Sequence, residues 1–188
     1  MVTPCGETAL ISDHWWSGAR RVVSPNCSDR PPGRAIDMLV IHNISLPPGE
    51  FGGPWIDRLF TNSLDPAAHP YFEGIAHLRV SAHLLIDRSG DVTQFVPFDK
   101  KAWHAGQSSF AGEENCNEFS IGIELEGCDD KEFTDAQYQT LAQLTRYLRD
   151  CYPAIVPARI VGHSDIAPGR KTDPGPCFDW QRYRKTCL

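Results

Sequence analysis

The residues of this chain best placed to do chemistry lie in one stretch, Arg159-Ile160-Val161-Gly162-His163-Ser164-Asp165-Ile166-Ala167-Pro168-Gly169-Arg170-Lys171-Thr172-Asp173-Pro174-Gly175-Pro176. It opens as a short apolar run that reads as a strand, and His163 falls where the run ends. The loop that follows carries too many Gly and Pro breakers for a helix. It presents Lys171 and Asp173 close together and closes in Asp-Pro-Gly-Pro, a stiff turn. An imidazole at a strand end and a carboxylate ten residues further on can meet at one point. With a third donor they satisfy an open Zn2+ site, which holds three protein ligands and keeps one position for water. His42 is the expected third donor, because Met38-Leu39-Val40-Ile41-His42-Asn43 is also an apolar run reaching His just before a turn-rich segment. A lone strand-end His more often bonds a backbone carbonyl. Two of them, with Asp173 at hand, point to adjacent strands delivering ligands to one sheet edge. Cys177 is a softer donor, but it lies beyond the turn and ranks below Asp173.

A second group with chemical potential is Glu124. Over Ser120–Gly127 the alternation sets Ile121, Ile123 and Leu125 on one face and Gly122, Glu124 and Glu126 on the other. Glu is rarely buried without a partner. For Glu126 an exposed sheet face is an equal alternative, whereas Glu124, in mid-strand beside the metal edge, is read as functional. An isolated Lys is by default a solvated cation; the spacing of Lys171 to Asp173 within a rigid loop marks it for function instead.

The elements that must position these groups are legible from pattern. A strand spans about residues 36–42, and Pro54 suits the first position of a helix with Trp55, Leu59 and Phe60 on its apolar side, ended by Asp65-Pro66. Val80, Ala82, Leu84 and Ile86 alternate with Ser81 and His83; a hairpin turn at residues 87–91 returns the chain through residues 92–96. Thr134-Asp135-Ala136-Gln137 is a capping box opening a helix striped by Tyr138, Leu141, Leu144, Leu148 and Cys151. Residues 178–188 form a short helix or tail. Strands interleaved with helices, plus one hairpin, imply an α+β (mixed α/β) single domain with a central mixed β-sheet flanked by helices. Residues 1–35 read as an irregular lead-in packed on the body through Trp15 and Trp16, with residues 36–188 as the domain proper. His69, His77 and His83 are read as structural.

A length of 188 residues suits one domain with a sizeable core. The net charge of −6, from 18 basic and 24 acidic residues without a dense basic cluster, argues against nucleic acid or an anionic membrane as partner. Seven cysteines without a CxxC spacing fit reduced thiols better than a secreted disulfide framework. The N-terminal residues Met1–Ile11 lack the basic and apolar regions of a signal peptide, and no run approaches a membrane span. The expected location is the cytoplasm.

With His42, Glu124, His163, Lys171 and Asp173 in view, the chain resembles the zinc N-acetylmuramoyl-L-alanine amidases, the family that includes phage lysozyme-like amidases and peptidoglycan recognition proteins. The resemblance is carried by residues 40–53, 69–72, 76–83, 102–106, 119–127 and 162–176, in that order, and runs from about residue 20 to residue 183. Within the family it is strongest to cytoplasmic members acting on 1,6-anhydro muropeptides in peptidoglycan recycling. The resemblance implies zinc on His42, His163 and Asp173, with Glu124 and Lys171 around the scissile amide and Tyr71 nearby. It implies Asn43, Arg79, Trp103 and His104 as groove-lining, substrate-binding candidates. It also implies a small soluble anhydromuropeptide substrate and a monomer. In such a site Glu124 is the expected general base and Lys171 the group that meets charge on the carbonyl oxygen. Two features depart from the pattern: Gly169 stands where Glu is expected, and Glu113-Glu114-Asn115 lacks a basic residue expected to help hold the stem peptide. A non-catalytic peptidoglycan-binding module typically lacks one metal ligand, and all three are present here. An exported broad-specificity cell-wall amidase is disfavoured by the missing export signal and the unpaired thiols.

Overall fold

The computed structural model describes residues 11–187; the reading of the first ten residues lies outside that range. Six strands form the main sheet: β1 (Arg20–Arg21), β2 (Met38–Ile44), β3 (Leu84–Ile86), β4 (Val92–Gln94), β5 (Ser120–Glu126) and β6 (Ile160–Gly162). Their order is β6-β2-β5-β3-β4-β1. β6, β2, β5 and β3 pair in parallel, β3 and β4 are antiparallel, and β1 is parallel to β4, so the sheet is mixed as expected.

The helices are α1 (Trp55–Phe60), α2 (Pro70–Glu73), α3 (Asp135–Cys151), α4 (His163–Ile166) and α5 (Trp180–Cys187). α3 starts at the expected capping box, with Gln137 N donating to Thr134 Oγ1 at 3.1 Å and Thr134 N to Gln137 Oε1 at 3.0 Å. Its apolar stripe packs Leu141, Leu144 and Leu148 with Leu39 and Ile41 of β2 and Ile121, Ile123 and Leu125 of β5. The opposite sheet face is also covered, by Met38 and Val40 with Phe119 and Ile166, and by a second cluster around Ile56, Phe60 and Phe72. β2 and β5 therefore face packed side chains on both sides, the usual state of parallel strands. By the period of two, His42 and Glu124 fall on the face opposite α3.

Three readings need correction. From residue 11 the lead-in is not irregular: Ile11–Ser12 pairs with Trp15–Trp16, β1 joins the main sheet, and Cys27–Asp29 pairs with Lys100–Ala102. Strands of two or three residues carry no alternation to read, and tertiary contacts hold them. Arg20 donates to Thr93 Oγ1 at 2.9 Å, and Trp16 stands edge-on to Tyr147 with centroids 5.0 Å apart. α1 ends at Phe60, before Asp65-Pro66, because Asn62 adopts a left-handed φ of 60° and Ser63 N turns back to Arg58 O. Of the segment 80–86 only Leu84–Ile86 is strand. The Ser81 hydroxyl instead donates to Asn26 O and accepts from Trp103 N, tying that stretch to loops. Among the described residues no helix is long and apolar enough to cross a membrane.

Candidate metal centre

β2 and β6 lie side by side with Ile41 opposite Gly162, so His42 and His163 follow one another onto the same sheet edge. The segment after His163, read from sequence as loop throughout, instead begins with one helical turn, α4, because its breakers start only at Pro168 and Gly162 N donates to Asp165 Oδ2 at 2.7 Å. A Cβ on Gly162 would lie 2.8 Å from Pro174 Cδ, so glycine is what lets the loop fold back over the strand end. Ser164 N then bonds Asp173 O at 3.0 Å, which fixes the third side chain. Asn43 supports the same turn, donating to Pro174 O at 3.0 Å and to Asp129 Oδ1 at 2.7 Å.

The structure brings His42, His163 and Asp173 together. Asp173 Oδ2 lies 2.9 Å from His42 Nδ1 and 3.0 Å from His163 Nδ1, and the two Nδ1 atoms are 3.0 Å apart. His163 Nε2 lies 3.0 Å from Ala105 O, which can only accept. The neutral ring therefore carries its proton on Nε2 and turns a bare lone pair from Nδ1 towards a carboxylate oxygen that also has only lone pairs. Electron-rich atoms this close repel unless a cation lies among them. Two imidazoles and a carboxylate suit zinc, whose bonds of ~2.0–2.1 Å in a tetrahedral site set donors ~3.3 Å apart. The residues present fit the ion. Burial pushes the His42 imidazole down, towards the neutral form that a metal ligand needs. Cys177 is not part of this group.

Glu124 stands opposite His42 in the β5–β2 register. It is buried, and its Oε2 has no hydrogen-bond partner among the described residues. Burial, and then the Asp173 charge, push its carboxyl well above the usual range, while Lys171 pulls the other way. Burial thus outweighs the single nearby ammonium. Glu126, on the same face, is buried too: its carboxylate accepts Gly52 N at 2.6 Å and Arg88 N at 3.3 Å.

His42, His163, Asp173 and Glu124 line a cleft of ≈ 360 Å³ together with Lys171, Tyr71, Asn43, Trp103 and His104. Lys171 and Tyr71 are exposed at it. Trp103 is pinned by its indole N–H to Ser28 Oγ at 3.2 Å. Arg79 is not among the lining residues; its guanidinium turns back to His77 O and Leu78 O. The sequence reading missed the apolar wall of Leu46, Leu59, Phe60, Ile75 and Val80, which comes from separate segments. It also missed Gly122, although a glycine inside a strand is a recognised sign of close approach by another group.

The sequence model of the family described as N-acetylmuramoyl-L-alanine amidase matches residues 32–176. The 1,6-anhydro-N-acetylmuramyl-L-alanine amidase AmpD of Escherichia coli (strain K12) is 63% identical over 175 residues, covering 93% of this chain and 95% of the relative. The crystal structure of a Se-Met AmpD derivative superposes with a TM-score of 0.93 at 61% identity, covering 95% of this chain and 99% of that one. The E. coli N-acetylmuramyl-L-alanine amidase AmiD, solved with the substrate anhydro-N-acetylmuramic acid-L-Ala-D-gamma-Glu-L-Lys, superposes with a TM-score of 0.60 at 30% identity, covering 84% of this chain and 60% of that one. Since the match runs through every segment that builds the cleft and nearly the full length of the AmpD relatives, the chain belongs to the N-acetylmuramoyl-L-alanine amidase family.

Proposed function

We propose that the protein hydrolyses the amide between the lactyl group of 1,6-anhydro-N-acetylmuramic acid and the L-alanine of the stem peptide, as a cytoplasmic step of peptidoglycan recycling. His42, His163 and Asp173 would hold one zinc ion for this reaction. The observation that carries this reading is the triangle of Nδ1, Nδ1 and Oδ2 atoms opening on the same cleft as the unpartnered Oε2 of Glu124. The printed names of the relatives support the substrate: AmpD is a 1,6-anhydro-N-acetylmuramyl-L-alanine amidase, and AmiD was solved with an anhydro muropeptide.

Bound zinc would polarise a water and bring its pKa towards ~7. Glu124 takes a proton from the attacking water as its oxygen reaches the carbonyl carbon. It returns the proton to the amide nitrogen as the C–N bond breaks, leaving a lactyl carboxyl group and the free amine of L-alanine. The ammonium of Lys171 meets the negative charge that collects on the carbonyl oxygen. The hydroxyl of Tyr71 is a further donor at the rim, and the wall of Leu46, Leu59, Phe60 and Val80 keeps bulk water from the reacting atoms.

The test is to strip the protein with chelator, restore zinc, and follow a defined anhydromuropeptide by mass spectrometry. Free stem peptide should appear only after metal is restored. Full turnover by protein with far less than stoichiometric metal would sink the proposal.

A further inference from the structure

We infer that His104, seated on Gly122, is a positioning residue that holds His42 in the one tautomer able to bind a metal. The inference rests on the zinc reading above and reassigns His104 from substrate contact to support of the centre.

The hydrogen bonds behind the site begin at a fixed point. The Cys116 carbonyl can only accept, so the Ser120 hydroxyl 2.6 Å away donates to it. With its proton committed, Ser120 Oγ accepts from His104 Nε2 at 3.1 Å. The proton of the His104 ring is therefore on Nε2, and its Nδ1 is an acceptor. His42 Nε2 lies 2.9 Å from that Nδ1 and must carry the proton of its own ring. His42 Nδ1 is left bare, facing Asp173 and His163. Both rings are buried, where the neutral form that this chain requires is favoured.

Gly122 makes the arrangement possible. A Cβ there would lie 2.4 Å from His104 Cγ and 2.5 Å from its Nδ1, so the ring sits directly on the β5 backbone. From the other side Asn117 Oδ1 accepts the backbone N–H of His104 at 3.1 Å and of Ala105 at 2.8 Å. Ala105 in turn supplies the carbonyl that orients His163. Two consecutive residues thus fix the ring states of both metal histidines. Supports of this kind are worth about 10–100-fold in metal affinity.

The test titrates zinc against a competing fluorescent chelator into metal-stripped wild type, His104→Leu, His104→Asn and Gly122→Ala. His104→Leu and Gly122→Ala should bind zinc about 10–100-fold more weakly. His104→Asn, whose amide oxygen can replace Nδ1 as acceptor, should recover most of the loss. Nitrogen-15 NMR of metal-free wild type should show His42 protonated on Nε2. A folded His104→Leu protein with wild-type zinc affinity and a raised KM would make His104 a substrate contact and overturn the inference. So would a His42 ring protonated on Nδ1, which decides the matter even if the variants do not fold. Failure of the wild type to take up zinc would instead defeat the metal reading, with the tautomer still deciding the role of His104.

Discussion

Asp173 and Lys171 stand two residues apart on one loop, yet their removal should read differently. Asp173 Oδ2 is shared between two imidazoles at 2.9 and 3.0 Å, so Asp173→Ala leaves two donors where an open zinc site needs three. That variant should lose bound zinc and activity together; an active protein with stoichiometric metal would refute the assignment. Lys171 lines the cleft without belonging to the donor triangle. Lys171→Ala should keep its zinc and lose about 10²–10³ in kcat, as expected for loss of one oxyanion stabiliser; wild-type turnover would leave Lys171 a bystander. At this scale the sequence was informative where a residue interrupts a pattern. His42 and His163 each end an apolar run, Glu124 is a carboxylate on the second face of an alternating strand, and Asp173 sits in a loop of breakers. Arg79 lies within a matched stretch, but position in a motif does not say where a side chain turns, and here it turns to His77 O and Leu78 O. The links among Gly122, His104 and Ser120 exist only across strands and loops distant in sequence, so no local pattern announces them.

Ser45, Leu46 and Pro48 line the cleft, and the question raised by the loop that continues to Gly53 is what holds it. Glu126 accepts Gly52 N at 2.6 Å, Lys131 Nζ donates to Gly49 O at 3.1 Å, and Phe51 lies under the cations of Arg88 and Lys131 at 4.9 and 5.1 Å. Glu126 also accepts Arg88 N, so one buried carboxylate joins the cleft border to the turn after β3. Glu126→Ala leaves both N–H groups without that partner, a loss of about 1–3 kcal/mol for groups that stay buried. It should speed hydrogen exchange at Gly52 and raise KM more than it lowers kcat; unchanged exchange at Gly52 would show that the loop does not depend on this carboxylate. The alternation that places Glu126 on the site face was readable, but its partner 74 residues away was not. The same contrast holds for helices. The cap and stripe of α3 are local signals and gave its limits, while the end of α1 depends on a left-handed Asn62 that no breaker residue foretold.

Across the whole molecule, the face opposite α3 carries a row of imidazoles: His83 to His104 at 5.7 Å, His104 to His42 at 5.0 Å, and His42 to His163 at 4.5 Å between ring centroids. Its outer member, His83, accepts Gly122 N on Nδ1 at 3.0 Å and meets Lys100 O from Nε2 at 3.1 Å, which satisfies it as a neutral ring. Burial, and then the Arg30 guanidinium, push His83 well below its ordinary value. Below the ordinary imidazole pKa of about 6.5 the unfolded chain takes up a proton on this ring that the folded chain refuses. The stability is therefore fully present above that pH and falls as the pH drops, by about 1.4 kcal/mol per pH unit for one ring. In the metal-free protein Glu124 acts in the opposite sense, because burial favours its protonated form in the fold more than in the unfolded chain. The net slope of the wild type consequently mixes signs, and a difference between proteins isolates one group. His83→Asn keeps an acceptor for Gly122 N but cannot titrate. Denaturant unfolding of both metal-free proteins from pH 6.5 down to 5 should give His83→Asn a slope shallower by about 1.4 kcal/mol per pH unit. Parallel slopes would mean that His83 is protonated in the fold, contrary to the hydrogen bonds that seat it against β5.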